Sequence, residues 1–341
     1  TRLRTVTGVQ TCALPICVEQ ALPSELARLA HDFAVGKNYP LALRCQYWLV
    51  RQTGSGRYNL ACNYALTGAV DAAFYWLQNA ALEEGVDSAH AGRDADLATL
   101  RGDSRWPAVQ EFLQHCSRYW EAQGKPVTTL ILPRGYTRDR GPIAAIAWLH
   151  GMGSKPHDFV NPADEESLCQ QLADELNMAF VGVSGTLPRG KQSFDWAEDP
   201  ARDLARVKAA FQEVSDRLEV VPGSVIAFGF SQGAQTGVEL AAREPAFFAG
   251  AIALSPGSNT VRLDEVTTPN PVLKQRGFIF GCGDGEMPGN QLLTANDAKW
   301  MTAAGAKVKI EFFRGQREHT FPEQIAILLP EWVRFIQAAV K

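Results

Sequence analysis

Two different spacings of hydrophobic residues divide the chain into two halves. Residues 22–123 carry alanine, leucine and aromatic residues at helical spacing, with almost no β-branched runs. This pattern predicts an all-helical region. The predicted helices cover residues 24–35, 40–52, 57–67, 70–83 and 107–122.

After Gln123-Gly124-Lys125-Pro126, apolar β-rich runs alternate with helical patterns. Near-continuous apolar strands separated by helices predict an α/β fold with a doubly wound, mostly parallel sheet. We therefore predict a helical domain over residues 18–123 and an α/β domain over residues 124–341. The predicted strands cover residues 128–132, 143–149, 179–184, 224–230, 250–255, 277–281 and 307–313. The predicted helices between them cover residues 164–176, 199–217, 232–243, 290–304 and 321–339.

The helical half contains a partial internal repeat. Four residues recur 31 positions later: Leu29, Ala30, Phe33 and Ala42 as Leu60, Ala61, Tyr64 and Ala73. This resembles the tetratricopeptide pattern, in which small residues let paired helices approach, although its usual period is about 34 residues. Two roles stay open, packing against the second domain and binding a protein partner.

Composition narrows the class of protein. Hydrophobic residues make up 46% of the 341 residues and charged residues 21%, which is enough for sizeable cores. The net charge of −4 and the absence of a lysine- or arginine-rich run argue against nucleic acid as a partner. No apolar run reaches the roughly 18 residues of a membrane span. The seven cysteines form no CxxC pattern, so we expect reduced, packed thiols, no metal site and, weakly, a cytoplasmic protein.

The first residues need a separate interpretation. Val6–Ile16, VTGVQTCALPI, resembles the codon-by-codon translation of a common sequencing-library adapter. We expect residues 1–17 to be an assembly artefact that replaces the true start, so localisation stays unknown. The rival interpretation is a signal peptide, with Arg2 and Arg4 before a short apolar stretch, but Pro15 and Ile16 are not the small residues of a cleavage site.

The candidate chemistry begins at Ser231 in FGFSQGAQTG, residues 228–237. A buried-strand pattern precedes it and a helix rich in small residues follows. This strand–turn–helix context is the one that a nucleophile elbow requires, with Gly229 and Gly233 removing side chains that would collide at the turn. We therefore predict that Ser231 is a nucleophile.

A seryl nucleophile needs a base and an acid. His319 lies between the last strand and the last helix, where the sheet would bring it over Ser231, and it is the predicted base. Asp284, three residues after Gly281, is the predicted acid, with Glu286 as its rival. The remaining histidines and the acidic pair after the preceding strand are disfavoured: His31, His90, His115, His150, His157, Asp264 and Glu265.

Two further groups complete the prediction. The backbone N–H groups of Met152 and Gln232 are the expected oxyanion donors, while His150 is expected to hydrogen-bond its own turn. Phe194 and Trp196 follow another strand end. They either wall an acyl pocket, and so bind substrate, or form a packed helix entry with Asp195 near a cap.

The motifs HGMG, GFSQG, GCGD and EHTFP, over about residues 125–341, resemble the α/β-hydrolase superfamily and most of all its phospholipase/carboxylesterase group. The resemblance implies a cofactor-free serine esterase acting on small carboxylic esters or acyl thioesters through an acyl-enzyme. A peptidase, an acyltransferase and a helical-repeat scaffold with an inactive hydrolase domain are the alternatives.

Cys282, Gly283 and Glu318 depart from the usual pattern of that group, and the helical half is foreign to simple esterases. The short segment 257–275 indicates an open site without a lid.

Overall fold

The computed structural model describes residues 18–257 and 271–340. The chain divides into two compact units, Thr1–Ser117 and Arg118–Lys341. The predicted boundary, between residues 123 and 124, coincides with the end of helix α7, Trp106–Gln123. The division between the two units falls six residues earlier, within that helix. The adapter-like segment, Asp264, Glu265 and most of the segment 257–275 lie outside the described residues, as do Cys12 and Cys17.

The first unit is helical, as predicted, and its long helices begin and end within one residue of the predicted bounds. Its helices are α1 Pro23–Val35, α2 Tyr39–Thr53, α3 Arg57–Leu66, α4 Val70–Glu83, α5 Ser88–Arg93, α6 Ala98–Arg101 and the first part of α7. Helix α1 packs on α2 and α3 packs on α4. Ala30, Ala42, Ala61 and Ala73 of the repeat are all buried. The tetratricopeptide resemblance and a protein partner for this unit stay predictions.

The second unit is built on a central sheet. Its strands are β1 Thr128–Ile131, β2 Ala145–Leu149, β3 Ala179–Val183, β4 Leu187–Gly190, β5 Ser193–Asp195, β6 Val225–Phe230, β7 Phe248–Leu254, β8 Gly277–Gly283 and β9 Lys307–Phe313. Its helices are α8 Leu168–Leu176, α9 Pro200–Glu213, α10 Gln232–Arg243, α11 Pro288–Ala303 and α12 Ile325–Ala339. Most of these bounds lie within a few residues of the predicted ones.

The described sheet has the order β1-β3-β2-β6-β7-β8-β9. Strand β1 is antiparallel to β3, and the other neighbours pair in parallel. One hydrophobic cluster lies between the sheet and α9, α10 and α11, and a second lies between the sheet and α8 and α12. This arrangement confirms the predicted doubly wound, mostly parallel sheet. The pair β4–β5 forms a separate antiparallel hairpin that the sequence did not predict.

The parallel strands all end at the same edge of the sheet. Strand β2 leads into His150, β6 into Ser231, and β7 into Ser255. Strand β8 leads into the segment with Asp284 and Glu286, and the loop after β9 contains His319. The topology therefore brings the predicted site residues to the carboxyl edge, where open α/β sheets bind their ligands.

Three findings concern the described residues as a whole. None of their helices is both long enough and apolar enough to cross a membrane. No group of three or more histidine, cysteine, aspartate or glutamate side chains among them is arranged to hold a metal ion. The five described cysteines, Cys45, Cys62, Cys116, Cys169 and Cys282, are free and buried.

Asp297, in the middle of α11, is a fully buried carboxyl group. Among the described residues, no hydrogen bond of ordinary geometry reaches either of its oxygens, and the Oε1 atom of Gln235 also lacks a partner. Burial raises the pKa of Asp297 to about 7, and Gln235 lowers it by less. Between about pH 4 and pH 7, the folded chain therefore retains a proton on Asp297 that the unfolded chain loses.

Asp297→Asn should stabilise the protein at pH 8 and do little at pH 4. An unfolded aspartate ionises near pH 3.9, so between this pH and about 7 the folded state binds the extra proton. Stability is then lost as the pH rises through that window. The gain in the free energy of unfolding from the substitution should grow to at most about 4 kcal/mol above pH 7. The two pKa values differ by about three units, and each unit is worth about 1.36 kcal/mol. Urea unfolding at both pH values measures it, and an equal gain at both would contradict the assignment.

Candidate active site

Ser231 lies at a strained turn between β6 and α10. Its backbone angles are φ 55° and ψ −122°, a conformation that a residue with a side chain rarely adopts. The Ser231 N–H donates to the carbonyl of Leu254 at 3.0 Å, and the Ser231 carbonyl accepts from the N–H of Gly257 at 3.1 Å. Neighbouring backbone therefore holds the turn in place.

The two glycines of the GFSQG motif are required by close packing. A Cβ atom on Gly229 would lie 2.2 Å from the carbonyl oxygen of Gly233. A Cβ atom on Gly233 would lie 2.1 Å from the carbonyl oxygen of Leu149. Neither position can hold a larger residue without moving the backbone, which is what the sequence predicted for an elbow.

The turn after β2 lies beside Ser231. A Cβ atom on Gly151 would lie 3.3 Å from the Cβ atom of Ser231. Within the described part of the chain, the backbone N–H groups of Met152 and Gln232 have no hydrogen-bond acceptor. Met152 is exposed, and Gln232 begins α10, where the helix dipole places partial positive charge. Neither predicted oxyanion donor is therefore used by a hydrogen bond within the described part of the chain.

His150 is part of the framework of this turn. It is completely buried, and its Nδ1 atom lies 2.7 Å from the carbonyl oxygen of Gly151 while its Nε2 atom accepts from the Gly185 N–H at 2.9 Å. Burial lowers the pKa of His150. The ring is therefore neutral with its proton on Nδ1, in the structural position that the sequence analysis expected.

The acidic partner of His319 differs from the predicted one. The Nδ1 atom of His319 contacts the Oε1 atom of Glu286, whereas Asp284 is exposed and its Oδ1 atom accepts the Gly315 N–H at 2.8 Å. Strand β8 continues through Gly283, two residues beyond its predicted end. Because the chain turns later, the Asp284 side chain accepts the Gly315 N–H in the neighbouring loop, and the Glu286 side chain contacts the imidazole of His319.

Four side chains surround the Glu286 carboxylate. Its Oε1 atom accepts from Asn290 at 2.7 Å, in addition to the His319 contact. Its Oε2 atom accepts from the Ser255 hydroxyl at 2.7 Å and from the Cys282 thiol at 3.4 Å. Burial raises the pKa of Glu286, but the hydrogen bonds from His319, Asn290 and Ser255 outweigh it and bring the pKa to about 2. Glu286 is therefore ionised at neutral pH.

His319 lies close to the nucleophile turn. Its ring centroid is 4.6 Å from that of Phe230, the residue before Ser231. Because Nδ1 faces Glu286, Nε2 is the ring nitrogen that remains available. Among the described residues, the hydrogen-bond partners of His319 are Glu286 and Asn290, and Ser231 is not one of them.

Phe194 and Trp196 are packed rather than presented to solvent. They are 2% and 1% exposed. The Trp196 Nε1 atom donates to the His150 carbonyl at 2.9 Å, and its backbone N–H donates to the Gln232 side chain at 3.0 Å. The geometry favours the packing alternative, so an acyl-pocket role for these two residues gains no support.

Sequence reasoning did not identify Ser255 and Asn290. Ser255 follows β7 and has a φ of 49°, and Asn290 lies in the first turn of α11. Neither belongs to a motif with its own signal. Their contacts with the Glu286 carboxylate depend on the tertiary arrangement of the loops that follow the strands.

No family model matches the chain. A relative described as a putative esterase, NocK from Nocardia uniformis subsp. tsuyamanensis, is 30% identical over 159 residues. The match covers 45% of this chain and 43% of NocK, so it spans less than half the length of that relative.

Solved structures resemble the chain at low identity. An uncharacterized protein from Bacillus cereus ATCC 10987 is 15% identical, with 92% of this chain and 98% of that chain covered and a TM-score of 0.48. The Bacillus cereus carboxylesterase is 16% identical, with 64% and 99% covered and a TM-score of 0.46. Because the TM-scores lie below 0.5, these likenesses carry no weight for activity. By its own strand order and helices, the chain has a doubly wound, mostly parallel α/β fold with a helical amino-terminal part.

Proposed function

We propose that this protein is a serine hydrolase that cleaves carboxylic esters or acyl thioesters of small molecules. The observation that carries the proposal is the strained Ser231 between β6 and α10, near the Met152 and Gln232 N–H groups, which have no acceptor among the described residues. A nucleophile held at such a turn near two available backbone donors is suited to acyl transfer. The match to a relative described as a putative esterase supports the same reaction class.

The reaction begins when His319 takes the proton of Ser231 through Nε2. The Ser231 oxygen attacks the acyl carbonyl, and the N–H groups of Met152 and Gln232 stabilise the negative charge on the tetrahedral intermediate. His319 then gives its proton to the leaving alcohol or thiol. Water, activated by the same imidazole, hydrolyses the acyl-enzyme and releases the carboxylic acid.

Glu286 takes the role of the acid in this proposal, in place of Asp284. It is 3% exposed and contacts Nδ1 of His319. An ionised carboxylate at Nδ1 fixes the tautomer that leaves Nε2 free to accept the serine proton. It also stabilises the imidazolium cation that forms during the reaction.

A fluorophosphonate probe tests the proposal directly, since it labels only an activated serine. We expect labelling of the full chain, loss of labelling after Ser231→Ala, and turnover of p-nitrophenyl esters. A parallel series of acyl thioesters compares the two leaving groups. A folded protein that is not labelled and turns over neither series would overturn the proposed function.

A further inference from the structure

The hairpin β4–β5 is tied to the turn that carries the first oxyanion donor. The Phe194 N–H donates to the carbonyl of Ser154 at 2.9 Å, and the Ser193 hydroxyl donates to the carbonyl of Gly153 at 3.0 Å. Gly153 itself has a φ of 69°. The backbone that follows the Cα atom of this left-handed residue is therefore held by one short strand.

Asp195, at the end of β5, holds the same turn through its side chain. Its Oδ1 atom accepts the Gly153 N–H at 2.7 Å, and its Oδ2 atom accepts from Nε of Arg189 at 2.7 Å. Asp195 is 8% exposed. Arg189 also pairs with Glu121 at 3.2 Å, so the guanidinium lies between two carboxylates. A charge-assisted hydrogen bond is stronger than a neutral one.

The next residue ties the hairpin to the second donor. Trp196 donates from Nε1 to the carbonyl of His150, at the start of the turn. Its backbone exchanges two hydrogen bonds with the Gln232 side chain, at 3.0 and 3.2 Å. Asp195 and Trp196 therefore connect the segments that present the Met152 and Gln232 N–H groups.

We infer that Asp195 is a positioning residue of the oxyanion hole, fixing the left-handed turn at Gly153 so that the preceding N–H of Met152 stays directed at the reacting carbonyl. The inference rests on the proposed hydrolase function. Asp195 contacts no reacting atom. It accepts the Gly153 N–H, while the Met152 N–H has no acceptor among the described residues and stays available to a substrate.

The direct test is Asp195→Ala, assayed on p-nitrophenyl butyrate. We expect kcat to fall about 10- to 100-fold, somewhat less than the loss of a whole oxyanion donor, with KM within about threefold. Affinity for a trifluoromethyl ketone, whose tetrahedral adduct carries an oxyanion, should fall in parallel with kcat. Asp195→Asn keeps an acceptor for the Gly153 N–H and should recover most of the activity.

Asp174→Ala is the matched control. Asp174 also accepts a backbone N–H, from Arg134 at 2.6 Å, and pairs with that arginine at 2.7 Å, but it touches neither the turn nor the hairpin. We expect Asp174→Ala to change kcat less than threefold. If Asp195→Ala fails to fold, the ketone affinity of Arg189→Met, which removes the donor that holds the Asp195 carboxylate, decides instead: we expect it to fall, and an affinity equal to that of wild type overturns the role.

The outcomes separate the two proposals. An active wild type in which Asp195→Ala loses no more kcat than Asp174→Ala overturns the positioning role alone. The same holds if the loss appears wholly in KM. A wild type that neither hydrolyses the ester nor reacts with a fluorophosphonate overturns the proposed function, and the positioning role with it.

Discussion

Ser231→Ala should reduce ester hydrolysis by about 10⁴-fold or more, because in the proposed mechanism it removes the atom that forms the acyl-enzyme. Residual turnover would come from the oxyanion donors and substrate binding alone. The substitution should leave the fold intact, since alanine bears the same backbone strain as serine at φ 55° and Ser231 Oγ has no hydrogen-bond partner among the described residues. The measurement is kcat/KM on p-nitrophenyl butyrate, with circular dichroism to confirm folding.

Ser224→Ala is the matched control for this variant. Ser224 lies just before β6, and its hydroxyl donates to the carbonyl of Val221 at 2.7 Å, away from the carboxyl edge of the sheet. We expect its activity within about twofold of wild type. A folded Ser231→Ala protein that retains more than a tenth of the activity would show that another group carries out the reaction.

The sheet and the nucleophile turn could be predicted because their signals are local. Each central strand is buried on both faces, so it is a continuous apolar run, and β6 and α10 have the predicted bounds to within one residue. Gly229 and Gly233 lie two positions either side of Ser231, and the close contacts of both residues explain that spacing. Sequence and structure agree where one short segment determines the geometry.

The carboxylate that contacts His319 could not be chosen from the sequence because its position depends on where β8 ends. Cys282 and Gly283 do not continue an obvious strand pattern, yet both are buried and pair with β9. Because β8 is two residues longer than predicted, the turn after it lies further along the chain. Glu286, rather than Asp284, therefore contacts His319. Ser255 then donates to Glu286 across 31 positions of sequence, a contact without a local signal.

The hairpin was missed for a different reason. Strands β4 and β5 have four and three residues, too few for an alternating pattern to be recognised. Phe194 and Trp196 therefore stood out only as aromatic residues near a strand end. Their burial and hydrogen bonds depend on the tertiary approach of the hairpin to the turn at Gly151.

Glu286→Gln should lower kcat by about 10³- to 10⁴-fold at neutral pH, whereas Asp284→Asn should leave kcat within about threefold of wild type. A glutamine amide cannot stabilise the imidazolium, and its NH₂ group facing Nδ1 favours the tautomer with the proton on Nε2, which cannot accept the serine proton. Asp284 is exposed and caps the Gly315 N–H, so an asparagine oxygen can replace it there. Both substitutions remove one negative charge from the same segment, which makes them matched controls for each other.

The two variants are compared on the same ester, with fluorophosphonate labelling as an independent measure of serine activation. We expect slow labelling of Glu286→Gln and labelling of Asp284→Asn at the wild-type rate. Thermal unfolding of each variant shows whether a loss of activity follows from unfolding, since Glu286 also accepts from Ser255 and Asn290. If folded Asp284→Asn instead loses activity by the larger factor while Glu286→Gln remains active, Asp284 is the acid, and the loop after β8 must rearrange when substrate binds.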